Sequence, residues 1–412
     1  MRVLLLATLV NAFGNGAYLT TSVLFLTTVA GLSPATIAIG LSAGAAAGVL
    51  AMTPLGYLAD RYGPRRLSIL AMVVLAGAYT ALLGVHSAVP FTLLSCVIAV
   101  ATALAKGANG ALAAGAVPAT ERLRMRARMR SLTNAGMGIG TLAGSGPLLI
   151  QGHAGYVVIL LANALTFLAA ALLLTRAPQV PPQVTPAGGP RLVALRDRAF
   201  LSFAALDGLL TSTYNDLLGL GLPLWLATRA HAPLWLISVA LVINTAGCVL
   251  LQVRMAGGVS GLAAARRSAL RGSLVVALSC AVIAAGSDRS PLLAGTLIGL
   301  AAVIHVLGEV WLSTGSWGIV FELAPPWAQG QYQGAYFAGR GLGDMVAPPL
   351  VTACVLGLHG YGWLLLGLLF AGGGLLYGPV TRWAAATRPT VPAEEAPRPD
   401  QPMVTVPPGQ GD

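Results

Sequence analysis

The chain has 412 residues, 56% of them hydrophobic and only 9% charged, with a formal net charge of +11. Soluble domains carry nearer 25% charged residues, so this composition, with a mean hydropathy of +0.78, excludes an ordinary soluble protein. The positive charge by itself would suit nucleic acid, but the arginines are spread between apolar runs along the chain, which argues against that partner.

Twelve apolar runs follow in chain order, at residues 3–30, 35–58, 67–87, 90–117, 132–152, 155–175, 199–227, 233–253, 269–287, 291–320, 330–356 and 361–382. A helix needs about 20 residues to cross the hydrocarbon core, so the pattern predicts an all-α polytopic membrane protein. The opening MRVLLLATLVNAFGNGA starts like a signal peptide, yet its apolar character runs on through Leu26 and reads as the first span.

Arginine placement orients the chain. If the connection after the second span faces inward, Arg61, Arg65 and Arg66 lie inside. Arg122, Arg124, Arg126, Arg128 and Arg130 follow the fourth span on the same side. Arg176, Arg191, Arg196, Arg198, Arg254, Arg266, Arg267 and Arg271 follow the sixth and eighth, whereas only Arg229 and Arg289 face the other way. The positive-inside rule then puts both termini in the cytoplasm, in the inner or plasma membrane. Cys96, Cys248, Cys280 and Cys354 fall inside spans and read as packing residues, not as disulfides or metal ligands. His86, His153, His231 and His359 fall in short outer loops. No metal or cofactor is expected.

Residues 176–198, rich in proline and arginine, read as a cytoplasmic linker between an N-terminal six-helix bundle (1–175) and a C-terminal one (199–383). The proline-rich stretch 384–412 reads as a disordered cytoplasmic tail. The halves carry a weak repeat at an offset of 200–201: Asn15 matches Asn215, Gly138 and Gly140 match Gly339 and Gly341, and Arg65-Arg66 match Arg266-Arg267. Duplicated halves are common in secondary transporters, whose substrates bind between them near the midplane.

The connection after the second span reads G-Y-L-A-D-R-Y-G-P-R-R, residues 56–66. Gly56 and Gly63 permit close approach or unusual dihedrals, Pro64 stiffens the turn, and Asp60 is free to accept hydrogen bonds. The spacing of glycine, aspartate-arginine, glycine and basic residues resembles the signature of the major facilitator superfamily over about residues 3–383. That resemblance implies two pseudo-symmetric six-helix bundles and transport of a small molecule by alternating access. It further implies a latch in which Gly56, Asp60, Arg61, Gly63, Arg65 and Arg66 act together. Asp60 docks on the other half, and the arginines pair with Glu121. In the second half Gly261 stands where Asp60 aligns, so the latch is expected on one side only. K-G-A-N-G around Lys106 resembles the family's helix-4 motif. Gly138, Gly146 and Pro147 resemble the glycine-proline helix-packing motif of its antiporters, although Ile150-Gln151 replace the next glycine pair.

The candidates placed well inside spans are Lys106, Asp207, Asp216, His305, Glu309, Arg340 and Asp344. Intramembrane charge is a functional candidate by default. Lys106 is the one lysine of the chain. It reads either as a partner of Glu309 or Asp207 across a central cavity, or as a side chain reaching toward the interface. In the family, the first, fourth, seventh and tenth helices line that cavity. Asp207, Glu309, His305 and Lys106 are therefore candidates for proton coupling, and Asn15, Tyr18, Lys106, Asn109, Tyr214, Asn215, His305 and Trp311 for substrate binding. Arg340 and Asp344, four apart, read as a structural ion pair. Trp225, Trp235, Trp327, Trp363 and Trp383 lie near span ends and read as interfacial anchors.

The function expected is secondary active export of a small, lipophilic drug or metabolite in exchange for protons, by a monomer in contact with lipids. Uptake or uniport on the same fold is the alternative; a polytopic enzyme or a lipid scramblase ranks below it. An ATP-driven pump is excluded because the one lysine follows Ala105, so no phosphate-binding G-x-x-x-x-G-K-[ST] loop exists.

Overall fold

The computed structural model describes residues 1–146, 153–182, 191–228, 233–286, 290–358 and 360–388. Its twelve long helices are α1 (Arg2–Leu24), α2 (Pro34–Tyr62), α3 (Pro64–Ala81), α4 (Ala88–Gly115), α5 (Arg122–Ser145), α6 (Ala154–Thr175), α7 (Arg198–Asp216), α8 (Leu236–Ala256), α9 (Gly261–Ala285), α10 (Pro291–Leu323), α11 (Gln329–Gly357) and α12 (Gly360–Ala386). Strands are absent among the described residues. Both α1 and α7 run on through a π-helical segment, Phe25–Val29 and Leu217–Gly221, and α7 then regains α geometry over Leu222–Thr228.

Local chemistry sets the helix ends. Ser33 caps α2, its hydroxyl accepting from the Thr36 N–H at 3.1 Å, with Pro34 in the first turn. Gly63 adopts φ +93°, a left-handed value open to glycine, and Pro64 then starts α3. Asp197 caps α7 by accepting from the Phe200 N–H at 2.9 Å.

Nine of these helices, among the described residues, are long and apolar enough to cross a membrane. The others are α5, α7 and α11. Arginines crowd the first turns of α5, a π segment interrupts α7, and α11 opens on QGQYQG. All three bury their polar faces against other helices instead of lipid, so a hydropathy threshold underrates them.

Two large apolar cores form, beside a small cluster of Cys248, Val306 and Val310. One joins buried residues from Leu4 to Ala177, among them Phe25, Leu75, Phe91 and Phe167; the other runs from Val193 to Ala384, with Phe203, Trp225, Tyr336 and Trp363. Trp225 and Trp363 are fully buried and pack edge to face at 6.1 Å, so neither is an interfacial anchor. Trp235 and Trp383 are exposed. Both ends of the interhelical connection after α6 are packed down: Arg65 donates to the Ala177 carbonyl at 3.0 Å, and Tyr332 donates to Asp197 at 2.8 Å.

Glycines set the helix contacts. On α5, Gly136, Gly140 and Gly144 press on the α1 backbone at Leu9, Phe13 and Ala17, where any side chain would collide. Gly138 and Gly146, the packing residues expected from the sequence, have nothing within reach. Positions four apart share a helix face, whereas residue 138 is turned to the opposite side. Pro147 lies outside the described residues. In the second half Gly339 and Gly343 meet Ala204 and Gly208 on α7 in the same way. Gly261, at the start of α9, also has a positive φ of +75°.

Candidate functional site

The two halves meet along α2 and α4 against α11, and along α5 against α8 and α10. At the end where α2 stops and α11 starts, the first turn of α11 has free N–H groups, and its capping position is Ala328, which has no side-chain acceptor. Asp60 supplies that cap from the other half. Its carboxylate accepts from the Gly330 N–H at 2.8 Å and the Gln331 N–H at 3.0 Å, at the positive end of the helix dipole. The approach requires glycine on both sides, because a Cβ on Gly56 would strike the Gly330 carbonyl and one on Gly330 would strike Gly56 and Asp60. The arginines behind it do not pair with Glu121. Arg61 donates to the Tyr57 hydroxyl at 3.1 Å, Arg65 holds Ala177, Arg66 is exposed, and Glu121 is exposed in the turn before α5.

Deeper in the protein, Arg130 crosses from α5 into the second half. Its guanidinium bonds Glu309 at 2.5 Å, the Ser313 hydroxyl at 2.9 Å and the Tyr214 hydroxyl at 3.1 Å. The second oxygen of Glu309 accepts from Asn244 at 2.6 Å, and His305 stands 4.0 Å from it, one turn earlier on α10. Cys248 donates to the first at 3.5 Å. Next to this pair, Ser131 bonds the Val249 carbonyl at 3.2 Å. The sequence reading put Arg130 and Arg126 in a cytoplasmic loop after the fourth span, but both lie within α5. Arg122, Arg126 and Arg130 are four apart and share one helix face. That spacing was the available signal.

Asp207 on α7 is completely buried and takes no cation. Four hydroxyls surround its carboxylate: Tyr377 at 2.5 Å, Tyr336 at 2.9 Å, Thr211 at 3.1 Å, and Ser316, which is also hydrogen-bonded to it. All come from the second half. Lys106 therefore pairs with neither Glu309 nor Asp207. The structural pair expected between Arg340 and Asp344 does not close either, since within 4.0 Å the ion pairs among the described residues are those of Glu309 with Arg130 and His305. Asp344 instead accepts from Ser212 at 2.5 Å.

A cavity of about 320 Å³ lies inside the first half, among α1, α3, α4, α5 and α6, with Phe337 of α11 closing one side. Its polar lining is Thr8, Asn11, Asn15, Thr102, Lys106, Asn109, Arg126 and Thr133; Met72, Leu75, Met129, Met137 and Phe167 provide much of the apolar wall. Asn15, Lys106 and Asn109 thus meet as substrate-binding candidates. Tyr18 is stacked edge-on to Tyr79 behind the wall, and Tyr214, Asn215, His305 and Trp311 do not line the cavity. The polar groups of α7 and α10 are bonded elsewhere, Tyr214 and Glu309 to Arg130 and Asp207 to its ring of hydroxyls. Arg126, Asn11 and Thr133 were not anticipated.

The family model described as Major Facilitator Superfamily matches residues 4–348. The chain belongs to the major facilitator superfamily. No curated protein sequence matches this family member. Among solved structures it is similar in fold to a bacterial homologue of the iron transporter ferroportin in an outward-facing state, at 16% identity and a TM-score of 0.71, covering 93% of this chain and 99% of that one. It is similar too to the proton:xylose symporter XylE bound to 6-bromo-6-deoxy-D-glucose, at 15% identity and 0.66, covering 93% and 98%. The human organic anion transporter MFSD10 (TETRAN) shares 14% identity at 0.64, again over 93% and 98%. At these identities the likeness is one of fold. The chain is an integral membrane transporter of this superfamily.

Proposed function

We propose that this transporter exports a small amphipathic compound in exchange for protons, by rocking its two halves about the cavity beside Lys106. The observation that carries the reading is the Arg130–Glu309 pair, because it joins the halves through a group that a proton can neutralise. Protonation of Glu309 removes the charge that holds Arg130 and loosens the contact between α5 and α10. The groups facing that carboxylate are Arg130 from α5, Asn244 and Cys248 from α8, and His305 from its own helix, with Tyr214 of α7 on the far side of Arg130. Deprotonation restores the pair and favours closure, with Asp60 docked on α11. Apart from Arg126 and Arg130, the arginine asymmetry still favours a cytoplasmic location for the Asp60 end, which makes this arrangement one closed toward the cytoplasm.

Uptake or facilitated passage through the same site is the second reading, favoured by α5, where Gly138 and Gly146 make no packing contact. The test uses energised everted vesicles, a pH-sensitive dye and a panel of lipophilic, cationic and anionic compounds. Proton-coupled export predicts compound-dependent collapse of the pH gradient, diminished in Lys106→Ala. Lack of collapse with every compound, together with downhill flux of one of them, supports the second reading and overturns exchange.

A further inference from the structure

The cavity in the first half holds two cations and no anion. Lys106 projects into it from α4, exposed to the open space although it is enclosed deep within the protein. Arg126 enters from α5, its guanidinium stacked on the Trp317 ring at 3.8 Å from the centroid. Both stand over the same ring, Phe337, at 5.8 Å for the ammonium and 5.6 Å for the guanidinium. Neither donates a hydrogen bond to a protein acceptor or forms an ion pair among the described residues. The charged neighbours that act on Lys106 are Arg340, Asp344 and Arg126, so one carboxylate stands among three cations, and it is held by Ser212 on the far half.

This arrangement is costly unless something joins it. An enclosed cation without a counter-charge loses hydration, and a second cation nearby adds repulsion. Aromatic faces offset part of that cost for a guanidinium, but stacking occupies the π surface and leaves the N–H edge free in the ring plane. An edge of that kind matches the paired oxygens of a carboxylate, sulfonate or phosphate. Asn15, Asn109 and Thr102 offer neutral hydrogen bonds around it, and the methionine and leucine wall suits an apolar remainder. The size lies within the range of small-molecule sites, roughly 300–1,000 Å³.

We infer that the transported compound is an organic anion with an apolar tail, its anionic group held between Arg126 and Lys106. Trp317 and Phe337 belong to the second half, so an anion seated there also ties the first-half cations to aromatic residues that move with the other bundle. The inference rests on the reading of this cavity as the transport site, but it does not depend on export or on protons.

The test measures binding to the purified full-length protein in nanodiscs, by intrinsic tryptophan fluorescence and by thermal stabilisation, with phenylbutyrate, phenylbutylamine and phenylbutyramide as a matched set and octanesulfonate as a second anion. The anions should bind and the amine should not. Arg126→Gln and Lys106→Gln should each weaken phenylbutyrate binding roughly tenfold to a hundredfold, the range of a charge-assisted bond, while Arg126→Lys and Lys106→Arg retain most of it. Circular dichroism and size exclusion verify that each variant is folded, and Lys106→Gln stands in should Arg126→Gln fail to fold. Equal binding of all three phenylbutyl probes, tighter binding of the amine, no binding of either anion at millimolar concentrations, or unchanged affinity in the folded glutamine variants would each overturn the inference. Anion binding without proton movement would leave it standing and defeat proton exchange instead.

Discussion

Asp207 and Glu309 are both buried carboxylates of the second half, yet they are satisfied in opposite ways. Asp207 takes hydroxyl bonds from Thr211, Ser316, Tyr336 and Tyr377, every one within its own half. Glu309 takes its strongest partner, Arg130, from the other half. The bonds of Asp207 survive any rigid movement of one bundle against the other. Those of Glu309 do not. An acid bound within one bundle organises that bundle, whereas an acid bound across the interface keeps its cation only while the bundles touch.

Substitutions at the two acids should separate along that line. The largest loss of stability is expected for Arg130→Met, which leaves Glu309 enclosed without its cation at a cost of roughly 3–5 kcal/mol; thermal unfolding in nanodiscs measures it. Restoring neutrality in the Arg130→Met, Glu309→Gln double variant should recover most of the melting temperature, and failure to recover it would break the assignment of the pair. Asp207→Asn should cost roughly 1–3 kcal/mol, because the amide replaces one acceptor oxygen by a donor facing hydroxyls. Its transport rate should keep the wild-type dependence on pH. If that dependence disappears in Asp207→Asn and survives in Glu309→Gln, the two roles are reversed.

Smaller effects belong to the docking of the halves. Asp60→Asn keeps one acceptor for the first turn of α11 but loses the charge, so closure should weaken by about 1 kcal/mol. That corresponds to several-fold faster labelling of an engineered cysteine at Gln331, read by mass spectrometry. The smallest effect is expected at Gly138, where alanine meets nothing and raises helix propensity; Gly138→Ala should leave the melting temperature unchanged or raise it slightly, whereas Gly140→Ala, pressed on Phe13, should lower it clearly.

Much of the architecture was legible because bilayer thickness imposes a length on apolar runs. The twelve runs follow from that, and the glycines and aspartate of residues 56–63 carried the family resemblance. The site was less legible, for reasons of geometry. Hydropathy placed the start of the fifth span after its arginines, so Arg126 and Arg130 were read as anchors in a loop, although their four-residue spacing gave them a common face. Partner choice was hidden because it depends on which helices touch: Glu309 meets α5, and hydroxyls from α7, α10, α11 and α12 reach Asp207 first. Phase explains the glycines, since the sequence motif marked residue 138 and the α1 contact uses 136, 140 and 144. Lys106 stood out as an intramembrane charge, but the guanidinium beside it did not.

The central claim is that protons act on this transporter through Glu309. The most direct test reconstitutes the wild type and Glu309→Gln in proteoliposomes, and records the movement of a transported compound and of protons in the same vesicles. The account predicts that wild-type vesicles move the two in opposite directions, and that Glu309→Gln still exchanges compound across the membrane but moves no protons. Proton movement of wild-type size in Glu309→Gln would contradict it.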